Sequence, residues 1–172
     1  MRLLLTGATG IAGLAIYRTA LADPFVRHIT LLSRHPLPSW AVLPEDAPSR
    51  TTMIMHNNFL KYPPDVARQL AAHDACIWAL GKMSVGMTEV QYTELTHGYT
   101  MAAVWALCDV SAGEDKEGEP FCFVYISGEG ADQSDSRWLP LFSRVKVCAI
   151  GWVRCTTGPL NAFSGEDQEG PH

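Results

Sequence analysis

Residues 1–13 read Met-Arg-Leu-Leu-Leu-Thr-Gly-Ala-Thr-Gly-Ile-Ala-Gly, MRLLLTGATGIAG. Arg2 to Leu5 is a short apolar run suited to a buried first strand. Thr6 to Gly13 then turns the chain into an Ala/Leu/Ile helix that starts near Gly10 and runs to about Ala22. Gly7, Gly10 and Gly13 follow a G-x-x-G-x-x-G spacing. Gly7 permits a tight turn, Gly10 lets backbone approach a pyrophosphate, and Gly13 lets the helix lie close to the strand. The unpaired N–H groups and the positive dipole end of the helix would face those phosphates, with Thr9 and Ile11 beside them.

The rest of the chain alternates strand and helix. Asp23-Pro24 stops the first helix. Val26 to Ser33 (VRHITLLS) reads as a second strand, and His35 to Ser49 as an exposed, proline-studded loop with room for a short helix. Thr51 to His56 (TTMIMH) is a third strand. Pro63-Pro64-Asp65 opens a helix through about Ala72. Ala75 to Leu80 (ACIWAL) is a continuous apolar run, as a central parallel strand requires. A long helix is expected from Thr88 to Val110, a charged loop from Ser111 to Pro120, a fifth strand from Phe121 to Ile126, and a last helix from Ser136 to about Val147. Strands alternating with helices predict an α/β fold, a doubly wound Rossmann-type parallel sheet of about five strands. The expected domain is residues 1–147, with 148–172 an irregular, disordered tail rich in Gly and Pro.

Composition narrows the class of partner. Of 172 residues, 47% are hydrophobic and 18% charged, which suits a sheet covered on both faces. No apolar run reaches the roughly 18 residues that span a bilayer, and the N-terminal run is too short for a signal peptide. A net charge of −5 argues against nucleic acid as a partner. The expected setting is the cytoplasm. Cysteines 76, 108, 122, 148 and 155 are odd in number and form no C-x-x-C pair, so core packing of Cys76 and Cys122 in buried strands is expected rather than disulfides or a metal.

Taken in order, TGATGIAG at the first turn, SRHP after the second strand, HNNF after the third, WALG after the fourth, YISG at the fifth and FSRVK in the last helix resemble a known family. They resemble the short-chain dehydrogenase/reductase superfamily, in its extended or atypical NAD(P)-binding, epimerase-like branch, over residues 1 to about 146. The resemblance implies a dinucleotide cofactor and a small-molecule substrate. Charge sets the cofactor preference. NAD-binding folds place an Asp or Glu about 20 residues past the glycines for the ribose 2′-OH, and an Arg there suits a 2′-phosphate. Ser33-Arg34-His35 stands at that place, so NADP(H) is expected, with NAD the alternative. By resemblance, Asn58, followed by Phe59, lies against the adenine, where relatives usually carry Asp. Ala79, Leu80 and Gly81 match the segment behind the cofactor ribose and nicotinamide.

The implied catalytic set is a Ser, a Tyr and a Lys, with Tyr and Lys four residues apart on one helix face. Ser127 and Lys146 stand in the matching places, and Lys146 would also bind the nicotinamide ribose. The Tyr position holds Phe142, whose phenyl ring carries no proton to exchange. No Tyr-x-x-x-Lys occurs in the chain, and Tyr125 reads as a packed aromatic. After Val147 the family's sixth strand and substrate-binding region are not recognisable, so the chain reads as a truncated product. Three functions stay open: an NADP(H)-dependent reductase or epimerase-like enzyme, a catalytically silent nucleotide-binding or protein-interaction module, and a nonfunctional fragment.

Overall fold

A computed structural model describes residues 1–82, 85–110 and 121–126. The expected loop 111–120, the last helix, the tail 148–172, and Ser127, Phe142 and Lys146 lie outside the described residues, as do Cys148 and Cys155.

The elements in chain order are β1 (Arg2–Thr6), α1 (Ile11–Ala22), β2 (His28–Ser33), α2 (Ala47–Arg50), β3 (Thr51–Met55), α3 (Pro64–Ala71), β4 (Ala75–Trp78), α4 (Glu89–Thr93), a π-helical turn (Glu94–Gly98), α5 (Tyr99–Asp109) and β5 (Cys122–Tyr125). All five strands pair in parallel, in the order β3-β2-β1-β4-β5. This is the doubly wound α/β sheet that the alternating pattern predicts. The order reverses between β1 and β4, which places a crevice at the carboxyl ends of those two strands.

Strand periodicity explains why the runs are apolar throughout. Successive side chains point to opposite faces, and here both faces are covered. Leu3, Leu5, Ile29, Leu31 and Ala75 pack with Leu14, Tyr17, Ala20 and Leu21 of α1. Leu4, Leu32, Cys76 and Trp78 pack on the other side with Phe59, Leu70 of α3, and Ala103 and Leu107 of α5. No helix among the described residues is long and apolar enough to cross a membrane.

Polar side chains close the ends of these elements. Arg50 donates to the carbonyls of Leu21 (2.6 Å), Asp23 (3.2 Å) and Val26, and meets Asp46 at 3.4 Å. A guanidinium at a helix C-terminus takes up carbonyls that lack intrahelical partners and complements the dipole. Arg50 thereby ties α1 to the start of β3. Sequence reading missed it, because nothing local links residue 50 to residue 21.

Two expectations change. Cys76 is buried, but Cys122 is exposed. Cys122 pairs with Ala75 and so lies on the α1 side of the sheet, where the buried cluster draws no member from β5. The long helix begins as expected, with Thr88 and Gln91 forming a reciprocal capping box, but it widens to a π turn at Glu94–Gly98. There the Thr100 hydroxyl donates to the Thr96 carbonyl at 2.6 Å.

At the amino edge of the sheet, His73 is buried. Its Nδ1 donates to the Leu70 carbonyl at 2.9 Å, so its Nε2 accepts from the Thr30 hydroxyl at 2.7 Å. Burial pushes its pKa below the ordinary histidine value; the Leu70 contact pulls it back, and the charges of Arg2 and His28 lower it further. Below pH ~6.5 the unfolded chain gains a proton that the folded imidazole resists, so stability falls as pH drops through that point. Urea unfolding midpoints measured at pH 7.5 and 5.5 should fall further for the parent than for His73→Gln; equal losses would remove His73 as a cause.

Candidate functional site

The carboxyl ends of β1 and β4 meet through backbone. Gly7 has φ +71, a region that side chains other than glycine's rarely occupy. A Cβ on Gly7 would lie 2.3 Å from the Ala79 carbonyl oxygen, and one on Gly13 would lie 2.0 Å from the Gly7 carbonyl oxygen. Both glycines are therefore required by the protein's own packing. Thr6, fully buried, completes the junction by accepting from the Ala79 N–H at 3.1 Å. The chain leaves β4 at this junction, after Trp78, two residues before the expected Leu80. Thr6 is a site-shaping residue that sequence reading passed over; a hydroxyl as the last residue before the glycines was the available signal.

Gly10 differs from its neighbours. A Cβ there would meet only the Gly7 carbonyl oxygen, at 3.4 Å, and its φ of −95 suits any residue. Its N–H donates to Gly7 at 2.9 Å and its carbonyl accepts from Leu14 at 2.9 Å. No side chain caps α1 and no acidic residue sits in its first turn. Thr9, Gly10, Ile11 and Ala12 are exposed, and Ile11 shows 91% of its surface. The start of α1 is thus a positive helix end facing open space. Across the crevice, Ala79 and Leu80 are half-buried and Gly81 is exposed. A Cβ on Gly81 would meet nothing within 4 Å.

The β2 and β3 ends supply the other expected residues. The Ser33 hydroxyl donates to the His35 carbonyl at 2.7 Å and accepts from its N–H at 3.3 Å. That small turn holds Arg34 at its apex, exposed. After β3, Asn58 is exposed while Phe59 is 1% exposed. The Phe59 ring lies 5.8 Å from Tyr99 and 6.1 Å from Trp78, so its side chain anchors the loop in the core and leaves only its backbone for a ligand. Tyr125 packs against the second core cluster, and burial pushes its pKa up to about 12, with Tyr92 adding to the rise.

No protein-family model matches the chain. Leucinostatins biosynthesis cluster protein T of Purpureocillium lilacinum is 28% identical over 142 residues, covering 83% of this chain and 47% of its own length. Among solved structures, the dTDP-glucose 4,6-dehydratase DesIV double mutant from Streptomyces venezuelae, with NAD bound, superposes with a TM-score of 0.67 at 21% identity, covering 91% of this chain and 51% of its own. A Burkholderia multivorans protein of short-chain dehydrogenase/reductase type, with NADP bound, superposes with a TM-score of 0.63 at 16% identity, covering 90% and 71%. The fold is that of the short-chain dehydrogenases/reductases. The chain spans about half the length of the curated relative (47%) and of the dehydratase (51%).

The glycines separate by substitution. Gly13→Ala drives a methyl into backbone that cannot yield and should cost ~3 kcal/mol or more, above the usual overpacking range of about 1–3. Gly10→Ala meets only an ordinary contact and costs at most about 1 kcal/mol through the weaker N-cap. Thermal midpoints check this: Gly13→Ala falls by roughly 6 °C or more and Gly10→Ala by less than about 4 °C. Equal losses would contradict the assignment.

Proposed function

We propose that the chain binds a nicotinamide dinucleotide and prefers NADP(H) to NAD(H). The observation that carries the reading is Gly10, a glycine at a helix start that the protein's own contacts leave unexplained. A missing Cβ makes sense there if the backbone must approach a ligand. The uncapped start of α1 supplies N–H donors for a pyrophosphate, and Gly81, where a Cβ would meet nothing within 4 Å, fits the ribose–nicotinamide half passing the end of β4. Arg34, exposed and without a hydrogen bond or ion pair among the described residues, suits a 2′-phosphate, which a guanidinium grips through two parallel charge-assisted bonds.

Bound nicotinamide supplies hydride transfer to or from a small carbonyl or hydroxyl substrate. The chain's own contribution on this reading is binding and orientation; by the resemblance, Ser127 is the residue that would polarise a carbonyl and Lys146 the one that would hold the nicotinamide ribose. Proton exchange is the missing part, since Phe142 stands where the resemblance puts a tyrosine. A nucleotide-binding module without turnover is accordingly the second reading, and Phe142 is the observation that favours it. A cytoplasmic location belongs to the same proposal, supported by the free thiols of Cys76, Cys108 and Cys122.

Fluorescence of NADPH titrated with the full chain tests the proposal. Enhanced, saturable emission is expected, and Gly10→Val should weaken it at least tenfold while remaining folded. Undiminished binding by Gly10→Val would overturn the motif assignment. Arg34→Asp should weaken NADPH by roughly 10- to 150-fold, the worth of a lost charge-assisted contact of ~1.5–3 kcal/mol, and spare or improve NADH. An unchanged preference would move the 2′ position away from β2.

A further inference from the structure

We propose that α4 is a lid, hinged on the π turn at Glu94–Gly98, that closes over the nicotinamide end of the bound dinucleotide. The proposal rests on the dinucleotide reading above and adds a conformational step to that site. The helical crossover from β4 to the parallel strand β5 must return the chain to the amino edge. Its first element, α4, therefore starts at the carboxyl edge, on the β4 side of the crevice.

Two features weaken the crossover at one place. The Tyr99 N–H bonds to the Glu94 carbonyl, five residues back, a geometry that occurs mostly as single turns inside α-helices, often at functional sites. Gly98 ends that turn with φ −57 and ψ −49, ordinary helical values open to any residue. Beyond its own helix backbone, a Cβ there would meet only Leu60 Cδ2 at 3.5 Å and Glu94 Cγ at 3.7 Å, ordinary contacts with flexible side chains. Neither the conformation nor the packing of this form needs a glycine, and glycine inside a helix is destabilising relative to alanine. A second conformation, reached by rotation about the φ and ψ of Gly98, accounts for it.

The two sides of the hinge are held unequally. α5 buries Thr100, Met101, Ala103, Val104 and Leu107, whereas α4 buries Tyr92 alone. The reciprocal bonds between Thr88 and Gln91 close the first turn of α4, so it moves as one short rod. Few buried contacts make it the part of the crossover that opens at least cost, and a π turn is a place where helices bend. Val90 on α4 and Val85 just before it are 76% and 80% exposed. Bending at Gly98 brings this apolar surface toward the nicotinamide, where covering it is favourable.

Amide hydrogen exchange on the full-length chain, free and saturated with NADPH, tests the proposal. Saturation should slow exchange across residues 89–98 at least about tenfold more than across α3, whose amides report the stabilisation that any ligand gives the whole fold. Gly98→Ala holds the helix in its present form. It should unfold no earlier than the parent and bind NADPH about fivefold or more weakly, the low end of a coupling between binding and a conformational change. Equal slowing across 89–98 and α3 overturns the proposal while the dinucleotide reading stands. A lower thermal midpoint for Gly98→Ala, or NADPH binding as tight as the parent's, likewise overturns it. No saturable NADPH binding by the parent overturns both.

Discussion

Three stretches of backbone converge at the carboxyl end of β1, and the molecule is organised around how closely they do so. Gly7 lies under the Ala79 carbonyl and Gly13 lies over the Gly7 carbonyl, at separations that a single methyl group would close to 2.3 and 2.0 Å. Side-chain-free packing of this kind fixes where α1 starts relative to β1 and where the chain leaves β4. Thr6, by accepting from Ala79, locks the same junction with a buried hydrogen bond. Beside that lock, Gly10 and Gly81 are less enclosed: a Cβ on Gly10 would meet only the Gly7 carbonyl oxygen, at 3.4 Å, and one on Gly81 nothing within 4 Å.

The two edges of the sheet have different work. At the amino edge, side chains are paired inward. His73 joins Leu70 to Thr30, the Asp74 carboxylate accepts from the Arg2 N–H at 2.6 Å, and Arg50 closes the far end of α1. At the carboxyl edge, Arg34, Asn58 and the first turn of α1 are exposed on loops that are themselves rigidly held. Ser33 shapes one loop and the Phe59 anchor another. Preorganised loops with outward-facing polar groups bind at a lower entropic cost than loops that must order on contact.

Much of this was legible from residue order. Strand and helix alternation gave the parallel sheet, and MRLLLTGATGIAG gave the first turn, because glycine spacing and apolar periodicity are local signals. Cys122 was misplaced since an apolar run does not reveal which face of a strand the described helices cover. The π turn at Glu94–Gly98 was invisible because helix-forming tendency does not distinguish a widened turn from an ordinary one. Arg50 and Thr6 act across 29 and 73 positions; no local pattern names those partners, although a hydroxyl just before the glycines marked Thr6 itself.

Amide NMR of the isotopically labelled chain titrated with NADPH addresses the central claim, that the open start of α1 is a dinucleotide cradle. The account predicts saturable shifts largest at Gly10, Ile11 and Ala12, with further shifts at Arg34 and Gly81, while Arg2, His73 and Asp74 at the opposite edge stay in place. Saturable binding that leaves the amides of α1's first turn unmoved, or that shifts the amino edge most, would contradict it.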